Sequence, residues 1–183
     1  REAPTQIADF LTEEEYFTGQ EQGEVSVVVN ARYCPAFLHK LEFIKVIYVF
    51  RGQCGFFYNG KRIEMTEGNV CIVAPGVEQA VFSCHDEDIV LNLLLQRSTF
   101  TEAFPELLES GEGGVISDFF WKMIRSRPDG EVMLFAGKPQ RLLEESVLEL
   151  YEEAVLQPVK SGLIMRSMML AVFAYILRWD EQD

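Results

Sequence analysis

The sequence predicts an α+β chain with segregated halves: an antiparallel β-barrel or sandwich drawn from the first half, closed by helices drawn from the second. Between residues 25 and 96, short runs rich in branched and aromatic residues are punctuated by turn chemistry. After Gln96 the apolar residues move to helical spacing. Strands and helices do not alternate along the chain, which argues against a parallel α/β sheet.

Seven runs favour strands: Val25 to Val29, Phe43 to Phe50, Gly55 to Tyr58, Lys61 to Met65, Val70 to Ala74, Ala80 to Ser83 and Ile89 to Leu95. Asn59-Gly60, lying between Phe56-Phe57-Tyr58 and Lys61-Arg62-Ile63, predicts a two-residue hairpin, since a type I′ turn needs positive φ at both central positions. Residues 1–24 are expected to form an N-terminal arm or a short helix, 25–98 the barrel, and 99–183 a helical extension. Within that extension, Thr99 with Glu102 three residues later reads as a capping box opening a helix to about Glu109. Gly111, Gly113 and Gly114 then break the chain, Val115 to Arg125 reads as a second short helix, and Val132 to Phe135 as an added strand.

Two longer helices are expected at about 140–158 and 161–179. In the first, Leu143, Val147, Leu150, Tyr151 and Ala154 make one apolar face opposite a run of glutamates, and Pro158 ends it. In the second, Leu163, Ile164, Met168, Met169, Leu170, Val172, Phe173, Tyr175, Ile176 and Leu177 cover more than one stripe. One core does not easily cover them all. A homodimer interface formed by this helical pair is expected, with burial inside the monomer as the alternative.

The composition bounds the function. Hydrophobic residues make up 48 % of 183, enough for a packed core and too many for a disordered chain. A net charge of −13 repels phosphate backbones and anionic lipid, so this stretch is not expected to bind nucleic acid or membrane itself. Cys34, Cys54, Cys71 and Cys84 form no C-x-x-C pair, which suits reduced thiols and a cytoplasmic location. Leu163 to Leu177 is interrupted by Arg166 and Ser167 and is too short to span a bilayer. Without an initial Met or a signal-like segment, the chain reads as a fragment of something longer.

Two clusters of residues are spaced in a recognisable way. His39 is followed by Leu41, Lys45 and Gly52, and Gly68 by Ala74, Gly76, Gln79 and Ser83. This spacing resembles the two-part metal-site signature of the cupin family, a small jelly-roll barrel, in which the slots of His39, Leu41, Lys45 and Gln79 carry histidine or carboxylate ligands. Only His39 matches. Leu41 cannot coordinate, Lys45 brings a positive charge, and Gln79 is a weak neutral substitute, so neither a tight metal nor any cofactor is expected.

The run Phe43 to Gly52, the Asn59-Gly60 hairpin, Glu67 to Ile72 and Pro75-Gly76, then Val90 to Leu95 with Arg97 to Phe100 and Ile116 to Phe120, is similar to the sensor half of AraC-family transcriptional regulators. The resemblance covers roughly residues 20–180. It implies a cupin-like antiparallel β-barrel (jelly roll) that binds a small effector, followed by an antiparallel pair of C-terminal helices that dimerises. In the family a pair of helix-turn-helix units follows and binds DNA; this chain contains no basic recognition helix.

Lys45 is the only charge within Phe43 to Phe50, and its slot points inward. An inward lysine loses hydration and needs an anionic or hydrogen-bonding partner, or else a depressed pKa. An anionic or polyhydroxyl effector is one such partner; an internal acid such as Glu42 or Glu64, or an outward side chain, is another reading. By the same spacing Gln79 and His39 neighbour Lys45, although a lone His39 at a barrel rim can equally be a hydrogen-bonded structural residue. Arg32 and Tyr33 could line the mouth or mark a solvated strand end. Asn92 interrupts an apolar run, as a backbone-bonded buried amide also would. His85, in an acidic turn, is expected to be exposed.

A non-catalytic effector-binding and dimerisation domain of a bacterial regulator is the leading reading. A metal-dependent cupin enzyme is the alternative, disfavoured because two histidines cannot rebuild the ligand set. A ligand-free protein-interaction barrel is a third.

Overall fold

The computed structural model describes residues 5–18, 23–103, 105, 114–125, 131–156 and 161–179. Among the described residues ten strands make two five-stranded sheets. In chain order they are β1 (Thr5–Leu11), β2 (Val25–Val29), β3 (Phe37–Leu41), β4 (Ile44–Arg51), β5 (Gln53–Tyr58), β6 (Lys61–Thr66), β7 (Val70–Val73), β8 (Gln79–Phe82), β9 (Ile89–Leu95) and β10 (Val132–Phe135). One sheet runs β1-β3-β8-β5-β6 and the other β10-β7-β4-β9-β2. All pairings are antiparallel except β1 with β3, which is parallel. The helices are α1 (Glu13–Phe17), α2 (Arg97–Ala103), α3 (Val115–Ile124), α4 (Arg141–Leu156) and α5 (Ser161–Leu177). This is the expected α+β jelly roll with C-terminal helices.

The second sheet is a partition between two cores. Successive side chains of a strand point to opposite faces, and β4 uses both. Ile44, Val46 and Tyr48 join β9 residues Leu91, Leu93 and Leu95 in a cluster with the helices, where they meet Phe120, Leu150, Met169 and Phe173. Ile47 and Val49 face the other way and pack with Cys54, Phe56, Met65, Cys71, Val73 and Val90, closing the two sheets on each other. Coverage on both faces explains why β4 reads as an almost unbroken apolar run. Its one buried charge, Lys45, lies on the face between the sheets.

The Asn59-Gly60 hairpin is present: β5 pairs β6 in continuous register from Gln53 with Thr66 to Tyr58 with Lys61, and φ is +46° at Asn59 and +73° at Gly60. A second tight turn rests on Gly52, at φ +72°, where a Cβ would stand 2.3 Å from the Asp88 carboxylate. Asp88 Oδ1 accepts from the Gln53 amide at 2.9 Å, while its Oδ2 accepts from the amides of Cys84 and His85. Those N–H groups outweigh the cost of burial and hold its carboxyl below the usual range.

Three elements differ from expectation. Residues 1–24, expected as an arm or a short helix, contain the short helix α1, opened by a capping box in which Thr12 Oγ1 accepts from the Glu15 amide and Glu15 accepts from the Thr12 amide, and also β1, an unexpected strand that extends the first sheet. β3 enters the first sheet at residues for which no strand was expected. The capping box at Thr99 does not form: α2 starts at Arg97, so Thr99 lies within the first turn, buried, with Oγ1 unpartnered. The expected end of that helix near Glu109, Gly111, Gly113 and Pro158 lie outside the described residues.

α4 and α5 pack on the outer face of the second sheet. Most of α5's apolar residues turn inward, with Met165, Met169, Val172, Phe173 and Ile176 buried, whereas Val155, Leu156, Leu163 and Ile164 stay exposed at the junction of the two helices. None of the described helices is long and apolar enough to cross a membrane.

Candidate functional site

The candidate site is the polar end of the space between the sheets. β3 and β8 meet at His39 opposite Gln79, and β8 also pairs β5 with Gln79 opposite Tyr58. On the facing sheet Lys45 lies between Val73 of β7 and Leu94 of β9. The Lys45 ammonium donates to Gln79 Oε1 at 3.2 Å across the gap. Both side chains are sealed, with Lys45 5 % and Gln79 1 % exposed.

Burial pushes the Lys45 pKa down from 10.5 to about 8, with only a small opposing pull from the Cys71 and Cys54 thiols. The two internal acids weighed from the sequence are engaged elsewhere: Glu42 accepts from the Glu13 amide at 2.8 Å, and Glu64 pairs with Arg62. Among the described residues Lys45 therefore has an amide for a partner and no carboxylate. His39 is partly buried, and desolvation followed by the nearby Lys45 charge lowers its pKa. Its Nδ1 donates to the Phe37 carbonyl at 2.9 Å, which leaves Nε2 as the acceptor nitrogen of a neutral ring.

Apolar groups surround this polar end. Leu41, Phe43, Phe17 and Leu94 form a cluster joined by Leu11 and Tyr16, and Tyr16 bonds Ser26 at 3.1 Å. Cys54 and Cys71 lie farther in, their thiols pushed up to about 12 by burial. Val28 and Phe37, whose strand registers set them on the interior face, are 41 % and 43 % exposed.

Three of the sequence-predicted residues, His39, Lys45 and Gln79, thus come together. Arg32 and Tyr33 do not join them. Both are exposed and turn to the β8–β9 loop, where the Arg32 guanidinium and the Tyr33 hydroxyl bond Asp86 and the Tyr33 amide donates to Ser83. They brace a turn at the far end of β8, corresponding to the strand-end reading. His85 is exposed, as expected, with Nδ1 3.2 Å from Asp88 Oδ2.

Asn92 departs from expectation in the other direction. A backbone-bonded amide was one reading, yet its Oδ1 accepts no hydrogen bond although the residue is 7 % exposed. Sequence reasoning noticed the position and could not see that its partner was missing. Among the described residues no group of three His, Cys, Asp or Glu side chains is placed to hold a metal ion.

The site is thus a buried ammonium between two facing sheets, bonded to an amide oxygen. A family model described as the AraC-like ligand binding domain matches residues 32–157, more than half of the chain, and the chain belongs to that family. No curated protein sequence matches. Among solved structures, an apo point variant of ToxT from Vibrio cholerae superposes with a TM-score of 0.55 at 13 % identity, over 83 % of this chain and 54 % of that one. ToxT from the same organism with an unsaturated fatty acid bound gives 0.48 at 15 % identity, over 83 % and 52 %. The AraC-like transcriptional activator CuxR gives 0.37 at 11 %, over 73 % and 42 %. The chain spans about half the length of the ToxT chains it matches, and at these identities the likeness concerns the fold.

Proposed function

We propose that this chain is the non-catalytic sensor domain of a bacterial transcription regulator and that it takes an anionic or polyhydroxyl small molecule between its sheets at Lys45, Gln79 and His39. One observation carries the reading: an ammonium enclosed in an apolar interior with a single amide oxygen for company. An anion held beside Lys45 supplies the missing counter-charge, while Gln79 and the His39 Nε2 offer orienting hydrogen bonds. A ligand of this kind regulates only through its different affinity for two arrangements of the chain. DNA binding is assigned to the full-length regulator, and pairing with a second copy to the exposed apolar residues where α4 meets α5.

The test is a thermal-shift panel of carboxylates and sugars against the wild-type domain and Lys45→Met at pH 7. A compound present at about 100 times its dissociation constant stabilises its receptor by roughly 2.7 kcal/mol. The wild type is expected to respond to anionic members and the variant to lose that response. Equal responses from both proteins to every active compound would remove Lys45 from the site.

A further inference from the structure

We propose that Asn92 is a second polar subsite of the same interior, and that the effector is therefore a hydroxylated carboxylate. The inference rests on the Lys45 reading above and adds the ligand's second functional group. β9 alternates cleanly: Leu91, Leu93 and Leu95 belong to the helix-facing cluster and Val90 to the cluster between the sheets, so Asn92 points between the sheets with Val90. Its Cα partners are Ile47 on β4 and Val28 on β2. Lys45 lies two residues from Ile47 on the same face of β4, which makes Asn92 and Lys45 diagonal neighbours with Cα atoms about 7–8 Å apart.

The Asn92 Oδ1 is sealed and has no hydrogen-bond partner among the described residues. A buried amide left unmet disfavours the fold, and a valine or leucine in its place would avoid the penalty. On its β2 side the neighbour is Val28, 41 % exposed on the end strand of the second sheet. An unmet amide oxygen, one diagonal step from a cation with no carboxylate partner among the described residues, is arranged for a molecule that carries both complements. Carboxylate oxygens serve Lys45 and cannot serve Oδ1, which needs a donor. A hydroxyl donates to Oδ1 and accepts from Nδ2, so it satisfies the amide in either orientation.

The experiment uses pairs of carboxylates differing only in hydroxylation, at several hydroxyl-to-carboxylate spacings: lactate with propionate, 3-hydroxybutyrate with butyrate, gluconate with hexanoate. Affinities are measured by calorimetry for wild type, Asn92→Leu and Lys45→Met, with Asn92→Ala replacing the leucine variant if that one does not fold. The wild type is expected to prefer the hydroxylated member of at least one pair by tenfold or more. Asn92→Leu should reduce that preference to within about twofold, keep the affinity for the plain carboxylate, and raise the melting temperature of the unliganded domain. A preference that survives in Asn92→Leu, or a wild type that binds both members of every pair equally, overturns the Asn92 assignment while leaving Lys45 in place. Absence of binding by any carboxylate, or binding that Lys45→Met leaves unchanged, overturns both.

Discussion

Lys45→Met offers a way to measure the burden of the enclosed ammonium without knowing any ligand. The lysine pKa of 10.5 falls to about 8 in the folded domain. Below pH 8 the folded and unfolded chains both carry the proton, and the folded state bears the full penalty of an unhydrated charge. Between pH 8 and 10.5 the folded state releases its proton first, the unfolded chain holds more, and stability rises with pH. A 2.5-unit depression corresponds to about 3 kcal/mol in total, of which about 2.5 kcal/mol is recovered between pH 7 and 10. Methionine keeps the length and removes the charge, while Gln79 loses its partner in the variant at every pH. The size of the stability gap at one pH therefore mixes two effects, and its change with pH isolates one. Urea unfolding of both proteins under reducing conditions at pH 7, 8, 9 and 10 reads that change directly. The raised Cys54 and Cys71 thiols act in the opposite sense, since the unfolded chain ionises them first, but both proteins contain them and the difference cancels them. The gap should move in favour of wild type by about 2.5 kcal/mol across the range. A gap constant to within about 0.5 kcal/mol would mean that Lys45 is hydrated or paired in solution, and the argument for a ligand-seeking cation would fail.

Other consequences can be checked separately. A neutral thiol reagent at pH 8 should label Cys34 and Cys84 readily, and should reach Cys54 and Cys71 only after unfolding, because both are buried with pKa values of about 12; rapid labelling of all four cysteines in the native state would contradict the closed interior. Leu163, 71 % exposed at the α4–α5 junction, is expected to bury against a second copy. Leu163→Asp should then convert a dimer to a monomer by light scattering at tens of micromolar, since two leucines lost from a two-fold interface remove about 3–6 kcal/mol. A wild-type protein that is already monomeric at that concentration would exclude the interface.

The sequence showed the parts of this structure that depend on local chemistry or fixed spacing. The Asn59-Gly60 turn, the seven β-rich runs and the two long helices need only neighbours in the chain. The convergence of His39, Lys45 and Gln79 followed from slots spaced as in a known barrel, and the 3.2 Å Lys45–Gln79 bond bears out that geometry. β1 and β3 were not legible, because their pairing is parallel and β3 meets β8 through a single residue pair, His39 with Gln79. The placement of Arg32 and Tyr33 depends on Asp86, more than fifty residues away, and on a positive φ of 61° at Tyr33 that its residue type does not announce. The unmet Asn92 amide was hidden for a related reason. Whether an amide finds a partner is decided by the strands on either side of it and not by its own run.

The partition formed by β4 is only one polypeptide thick. Lys45 and Val46 are adjacent along it, the first turned to the polar chamber and the second to the helical layer. Tyr48 reaches the same layer and donates to Glu144 of α4 at 3.4 Å. A ligand held at Lys45, as proposed, would therefore lean on the very backbone that seats the helices, and a displacement of that wall would reach them without an intervening relay.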